Sequence, residues 1–587
     1  MGHGGGRMFN LKKGLKAAFY FGTSITLLAA ASLSPGARKA RQEEKNLSAY
    51  DLLISHAKIV DGTGNPWYRG DIGIKGGRIL AVGDLKNAAA ARKIDALDKV
   101  VCPGFIDMMG TSDWELLVDP RCASKVTQGI TLMVSGEGYS IAPMNDRILK
   151  ERRPFFDRFK VKGDWRTLEE FFARLESNPP AINFATFVGS GGLRDLVMGT
   201  ENRRATTKEI GEMEKLAAEA MEQGAFGLAS ALMYVPDRYN STEELIAMAR
   251  VAAKYHGIYI THQRSEANAI DESLEEVFRI AREARIPTQI FHLKTMYIQN
   301  WGKMPKVVDR ISRARKEGLD ITADVYPYVA ASAGLVDLLP PWAREGGLEK
   351  VMERLRDFAV RERIKNELAV DTSEWENEYC GAGGAKGFVI SSVLNERLKS
   401  LEGRRLSDIA SERRRDPRDV IMDIILEDQS SPLFISFIMD ESDVRLALKQ
   451  EWSCFCTDSE IAAVDGPLSG SHLHPRAYGS MARILERYVR EEGLMPLEQA
   501  IRKASSLPAQ VLGIRDRGLL REGFYADLVI FDPKTMLDRA SFEQPNQYSA
   551  GIDYVLVNGK VVIEKGTITD SRPGKIIRGP GFHGSRK

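Results

Sequence analysis

Cysteine is scarce in this chain: there are five in 587 residues, at positions 102, 122, 380, 454 and 456. So few, and an odd number, exclude a disulfide framework. Cys454 and Cys456 alternate along an apolar run, so their side chains face opposite sides and are poor partners for one metal. Core packing is the expected role for both. Excess charge is missing too. The formal net charge is +2, which gives no support to a nucleic-acid partner. The basic runs Glu412 to Arg415 and Lys575 to Lys587 read as solvated surface. Beyond the N-terminus no apolar run reaches about 18 residues, the length a membrane span needs. What is there, 43% hydrophobic and 28% charged residues, is ordinary globular composition. The length suits one large barrel plus a smaller domain.

The N-terminus stands apart. Lys12, Lys13 and Lys16 precede an apolar stretch from Ala17 to Ala31, which ends in three alanines with Ser32 and Pro35 following. A basic region, an apolar core and small residues make a secretory signal peptide over residues 1–35. The expected location is therefore periplasmic or secreted, and an uncleaved anchor is the alternative. No stable membrane contact is expected once the segment is cleaved. No cysteine follows the core, which argues against a lipoprotein.

Two β-rich pieces flank a long middle. Residues 50–100 carry "DIGIKGGRILAVG", with a Gly76-Gly77 turn, and residues 511–575 carry "ADLVIFD" and "YVLVNGKVVIEKG", with an Asn558-Gly559 turn. Both pairs predict tight hairpins. The economical reading is one small β-domain built from both ends of the chain. Between them, residues 101–510 alternate short apolar runs with helical patterns: "VVCPGFID", "GITLMVS", "INFATFVG", "GAFGLAS", "GIYITH", "TQIFH", "LDITADVYP" and "WSCFCTD". Eight such runs predict an α/β fold with a parallel (β/α)8 barrel. The stretch from about 335 to 445 is too long for one crossover and predicts an insertion.

In such a barrel the chemistry gathers at the C-terminal strand ends. Of eight histidines, two fall there on consecutive runs, His262 and His292. Glu137 ends the second run and Asp458 the eighth. Two imidazoles and a carboxylate form a catalytic zinc set with a position left for water. Glu137, His262 and His292 are thus the candidate ligands. Asp458 is the candidate general base and acid, taking a proton from that water and returning it to a leaving amine.

These residues sit in motifs that resemble the amidohydrolase superfamily, and within it the D-aminoacylases (N-acyl-D-amino-acid deacylases). The resemblance runs from about residue 50 to 580 and is carried by "VCPGFID", "GYSIAP", "GLRDLVMG", "YITHQRSE", "FHLK", "DVYPY", "LPPWA", "HPRAYGSMARIL" and "DRGLLREGFYADLVIFDP". It implies a distorted TIM-like barrel, a small β-sandwich domain formed by both termini, and an inserted lobe. It implies hydrolysis of linear, non-peptide C–N bonds in small N-acyl amino acids. The family's tightly bound zinc is held by a cysteine and two histidines. The histidines match His262 and His292, and Glu137 stands at the cysteine's place. A carboxylate there gives a more Lewis-acidic metal and could admit manganese or cobalt. The usual first-strand His-x-His is Met109-Gly-Thr111, and a third-strand histidine is Ser190. Both losses lie where a second metal would bind, so one zinc ion per chain is expected. A lysine and a tyrosine that hold substrate in the family match Lys294 and Tyr326. Arg476 is a third candidate for the substrate carboxylate, with a structural salt bridge as the alternative. Two other functions stay open: an amidohydrolase acting on D-dipeptides or cyclic amides, and a metal-free barrel acting as a binding protein. The oligomeric state is left open.

Overall fold

The computed structural model describes residues 49–584. The signal-peptide segment lies outside them. No helix among the described residues is long and apolar enough to cross a membrane.

Eight parallel strands form the barrel. They are β1 (Phe105–Asp107), β2 (Ile130–Ser135), β3 (Asn183–Thr186), β4 (Gly227–Ala231), β5 (Ile258–His262), β6 (Thr288–Ile290), β7 (Ile321–Val325) and β8 (Ser453–Phe455). A short continuation of β3, Val188–Gly189, carries the pairing on to β4. The ring closes between β8 and β1. Gly110 and Ser459 form a parallel bridge, and Asp458 N–H donates to the Met109 carbonyl at 2.9 Å. Closure puts the strand ends that carry Glu137, His262, His292 and Asp458 around one mouth.

Side-chain alternation explains why these short runs are apolar throughout. Phe184, Leu228 and Tyr259 join the core shared with the outer helices. Their neighbours Ala185, Ala229 and Ile260 join a second core that continues into Ile390 and Phe434. The helices between strands are strongly capped. Ser241 accepts from Glu244 N–H at 3.3 Å, while the Glu244 carboxylate accepts from Ser241 N–H at 2.7 Å, a capping box on Thr242–Lys254.

Both chain ends build one nine-stranded sheet. Its join is the antiparallel pairing of Val100–Pro103 with Leu528–Phe531. The Gly-Gly and Asn-Gly pairs make the expected turns, with φ of 59° and 79° at Gly76 and Gly77 and 49° and 75° at Asn558 and Gly559. These two turns meet: Ala526 N–H donates to the Gly77 carbonyl and Gly559 N–H to the Ala526 carbonyl, both at 2.9 Å. The sheet thereby rolls over its own core of Ile54, Ile72, Val101, Leu528 and Leu556.

Between β7 and β8 lies a lobe with its own three-stranded antiparallel sheet, in the order Ala330–Gly334, Leu433–Phe437, Phe388–Ser392. It is anchored to the barrel side by Tyr297 N–H, which donates to the Ile438 carbonyl at 2.8 Å. His474 bonds the Ala330 carbonyl through Nε2 at 3.0 Å, and His472 bonds the Phe542 carbonyl at 2.7 Å. Both histidines are thus tied to backbone in loops.

Candidate metal centre

Glu137 reaches the barrel mouth because two glycines flank it. Gly136 has φ of 105° and Gly138 of 57°. A Cβ on Gly136 would stand 2.5 Å from the Phe187 carbonyl oxygen, and one on Gly138 2.5 Å from the Ala231 Cβ. The "GEG" spacing therefore answers a local demand: the chain must turn left-handed while wedged against β3 and β4. His262 closes β5. His292 follows β6 with φ of 34°, a left-handed conformation held by its N–H donating to the Asp324 carboxylate at 2.7 Å. Strained backbone of this kind is typical of functional positions.

These three side chains converge. One ligand atom from each of Glu137, His262 and His292 lies within 4.8 Å of the others. His262 Nδ1 is 3.1 Å and His292 Nε2 3.5 Å from Glu137 Oε1. The imidazoles cross at 83° with ring centroids 4.5 Å apart. Beneath them lies Glu266, fully buried, with Oε1 3.1 Å from His292 Nδ1. Lys294 Nζ lies 2.6 Å from the same nitrogen and pairs with Glu266 Oε2 at 2.7 Å. The electrostatics favour a cation. Burial raises the Glu137 carboxyl, but the two imidazoles hold it well below the usual range. Burial likewise opposes ionisation of Glu266, yet Lys294 and both imidazoles bring it to about 2. Burial and Lys294 oppose a proton on His292, while Glu266, Asp458 and Glu137 push it up to about 10. A surplus of carboxylate that favours a proton on imidazole also favours a divalent ion. His262 Nε2 is buried without a hydrogen-bond partner. Two imidazoles and a carboxylate in this arrangement fit a divalent metal.

Asp458 lies in the same cavity, of about 310 Å³, with Glu137, His262, His292, Lys294 and Arg476. It has φ of 47°, and its Oδ2 accepts from Arg476 Nη1 at 2.5 Å. Arg476 therefore faces the cavity while paired with Asp458, as Lys294 does while paired with Glu266. Tyr326 is buried below both cations, its ring 4.7 Å from the Arg476 guanidinium carbon and 5.7 Å from Lys294 Nζ. It does not line the cavity.

The first-strand side carries no imidazole. Met109 is buried, Thr111 lines the cavity, and Ser190 donates its hydroxyl to Asp237 at 2.6 Å. Asp107 does other work. Its Oδ1 accepts from Thr457 N–H at 2.8 Å, and its Oδ2 accepts from the Thr457 hydroxyl at 2.6 Å and from Lys125 Nζ at 3.0 Å. Lys125 also donates to Thr457 Oγ1 at 2.6 Å and to the Ser459 carbonyl at 2.9 Å. Asp107 and Lys125 are both 0% exposed. This knot pins the residues on either side of Asp458. Sequence reasoning missed Lys125 and Glu266. Glu266 carried one signal, its place four residues after His262 in "YITHQRSE".

Comparison with known proteins gives a consistent set. Residues 92–563 match the amidohydrolase family. The chain is 34% identical to an N-acyl-D-glutamate deacylase of Alcaligenes xylosoxydans xylosoxydans, over 90% of this chain and 96% of that one. The crystal structure of an N-acyl-D-glutamate deacylase from Bordetella bronchiseptica, complexed with zinc and a phosphonate mimic of the tetrahedral intermediate, superposes with a TM-score of 0.75 at 32% identity, covering 90% and 99% of the two chains. A D-aminoacylase structure concerned with its binuclear metal centre, with one-metal activation and second-metal attenuation, gives 0.74 at 32% identity, covering 90% and 100%.

Proposed function

This chain belongs to the amidohydrolase family, and we propose that it is an exported N-acyl-D-amino-acid deacylase working with a single zinc ion. One observation carries the reading: Glu137, His262 and His292 converge on one point, and Asp458 opens into the same cavity. A zinc ion held there would lower the pKa of its water to about 7 and polarise the amide carbonyl. Asp458 is the carboxylate placed to take the proton from the attacking water and to return it to the leaving amine nitrogen. Arg476, 2.5 Å from Asp458 Oδ2, fixes that carboxylate and keeps its charge compensated. Lys294 and Arg476 are the cations of the cavity, so they are the groups that would receive the substrate carboxylate, with Tyr326 supporting both from below.

A single metal is supported by the side chains opposite the cluster. Methionine, threonine and a hydrogen-bonded serine at 109, 111 and 190 offer a second ion no imidazole. Export is supported by the basic and apolar order of residues 12–31, and N-terminal sequencing of the mature protein tests it. The activity is tested by following amine release from N-acetyl-D- and N-acetyl-L-amino acids with purified protein. Turnover of D-substrates, abolished in Asp458→Asn, is expected. Hydrolysis of L-substrates alone would overturn the assignment.

A further inference from the structure

The substrate's side chain is the part of the molecule that the metal centre does not specify. Relatives named for D-glutamate, for D-amino acids in general and for D-aspartate lie at 34%, 33% and 32% identity, so similarity does not choose between them. The cavity does. Apart from the imidazoles of the metal centre, its basic lining residues among those described are Lys294 and Arg476, each paired with a carboxylate, Glu266 at 2.7 Å and Asp458 at 2.5 Å. An α-carboxylate would engage these two, leaving no cation for a second carboxylate.

Another part of the lining comes from the lobe and the loops after β4 and β6. Met233, Tyr234, Met296, Ala333 and Leu433 make it apolar, and Glu378 stands in it. Glu378 opens the short helix Glu378–Gly381 and is 4% exposed. Among the described residues it makes no ion pair within 4.0 Å; the Ser436 hydroxyl, donating at 3.1 Å, is its hydrogen-bond partner. A carboxylate buried to this degree without a counter-ion is costly. Burial, with Glu376 and Asp337 close by, pushes its carboxyl up to about 8 against the opposing Ser436 hydroxyl and Lys294, so near neutral pH it holds a proton until a cation arrives. A cation delivered by a ligand would complete the site.

We propose that Glu378 is a specificity-determining residue that selects N-acyl-D-amino acids with a cationic side chain, an aliphatic stem ending in an ammonium or guanidinium, and rejects acidic ones. The stem lies on the methionines and Leu433, and the head pairs with Glu378. The γ-carboxylate of a D-glutamate derivative would meet Glu378 only in its protonated form and would forgo the ion pair that a cationic head makes. This assignment rests on the deacylase reading.

The test compares kcat/KM for N-acetyl-D-arginine, N-acetyl-D-leucine and N-acetyl-D-glutamate in zinc-loaded wild-type, Glu378→Gln and Glu378→Lys proteins. The arginine derivative should lead in the wild type, with the glutamate derivative last. Glu378→Gln should lower arginine turnover by about 10- to 100-fold, as loss of a charge-assisted contact does. A circular-dichroism spectrum and a zinc content equal to those of the wild type show that the variant is folded. Glu378→Lys should raise glutamate above arginine. A wild type that prefers the glutamate derivative, or a Glu378→Gln variant that loses all three activities equally, overturns the assignment alone. Zinc-bound protein that turns over none of the three overturns the deacylase reading and this assignment with it.

Discussion

Replacing Lys125 by methionine removes a charge that no solvent reaches. The ammonium and the Asp107 carboxylate are both 0% exposed and 3.0 Å apart. In the variant Asp107 keeps three donors, Met109 N–H, Thr457 N–H and the Thr457 hydroxyl, but loses its counter-charge, and the Ser459 carbonyl loses its bond from Nζ. Breaking a buried pair from one side costs about 3–5 kcal/mol. The remaining donors place Lys125→Met near the lower end of that range. Asp107→Ala leaves a buried ammonium with two neutral acceptors, Thr457 Oγ1 and the Ser459 carbonyl, and belongs near the upper end. The double variant Lys125→Met with Asp107→Leu carries no buried charge, so it should be more stable than either single variant. Urea unfolding followed by circular dichroism measures all three. A second readout is kinetic. The knot flanks Asp458 on both sides, so Lys125→Met should lower kcat more than it raises KM. A Lys125→Met variant within about 1 kcal/mol of wild type, or single losses that simply add in the double variant, would refute the coupling argued from these distances.

Other outcomes follow from the same geometry. Gly138→Ala meets Ala231 Cβ at 2.5 Å from a φ of 57°, so it should displace Glu137 and weaken metal retention at least tenfold in dialysis against a chelator, by order of magnitude. Glu137→Cys should keep a tightly bound ion but shift competition toward zinc and away from manganese, because thiolate is the softer donor; metal analysis after mixed loading reads this. Cys454 and Cys456 are buried, and burial pushes both thiols far above their ordinary pKa. Neither should react with a thiol reagent until the protein is unfolded.

The barrel was readable because its strands are short apolar runs, most of them closed by a polar residue at the same rim; the fourth, Gly227–Ala231, runs on into Leu232 and Met233. Its breaks were less so. The run from Val100 to Asp107 reads as one strand, yet Gly104 divides it. Val100–Pro103 pairs antiparallel with Leu528–Phe531, and Phe105–Asp107 pairs parallel with β2. A run buried on both faces carries no mark of which partner it will take. Phe187 divides the third run in the same way. At the site, Glu137, His262, His292 and Asp458 stood out because side chains at strand ends are placed by the backbone. Lys294 and Arg476 were identifiable as cations near the mouth, but their pairing with Glu266 and Asp458 depends on rotamers and tertiary neighbours. Lys125 gave no signal. In "ASKVTQG" it reads as an ordinary surface lysine, and only barrel closure brings Asp107 and Thr457 to it. Glu378 was hidden in the same way, inside an insertion whose packing on the mouth no local pattern encodes.

Metal content of the purified, zinc-loaded chain, measured by mass spectrometry beside amine release from an N-acetyl-D-amino acid, bears on the whole reading at once. The expected result is about one tightly bound divalent ion per chain, with the ion and the activity lost together in His262→Ala. A chain that binds no metal under zinc-replete conditions, or that needs two ions for turnover, would contradict it.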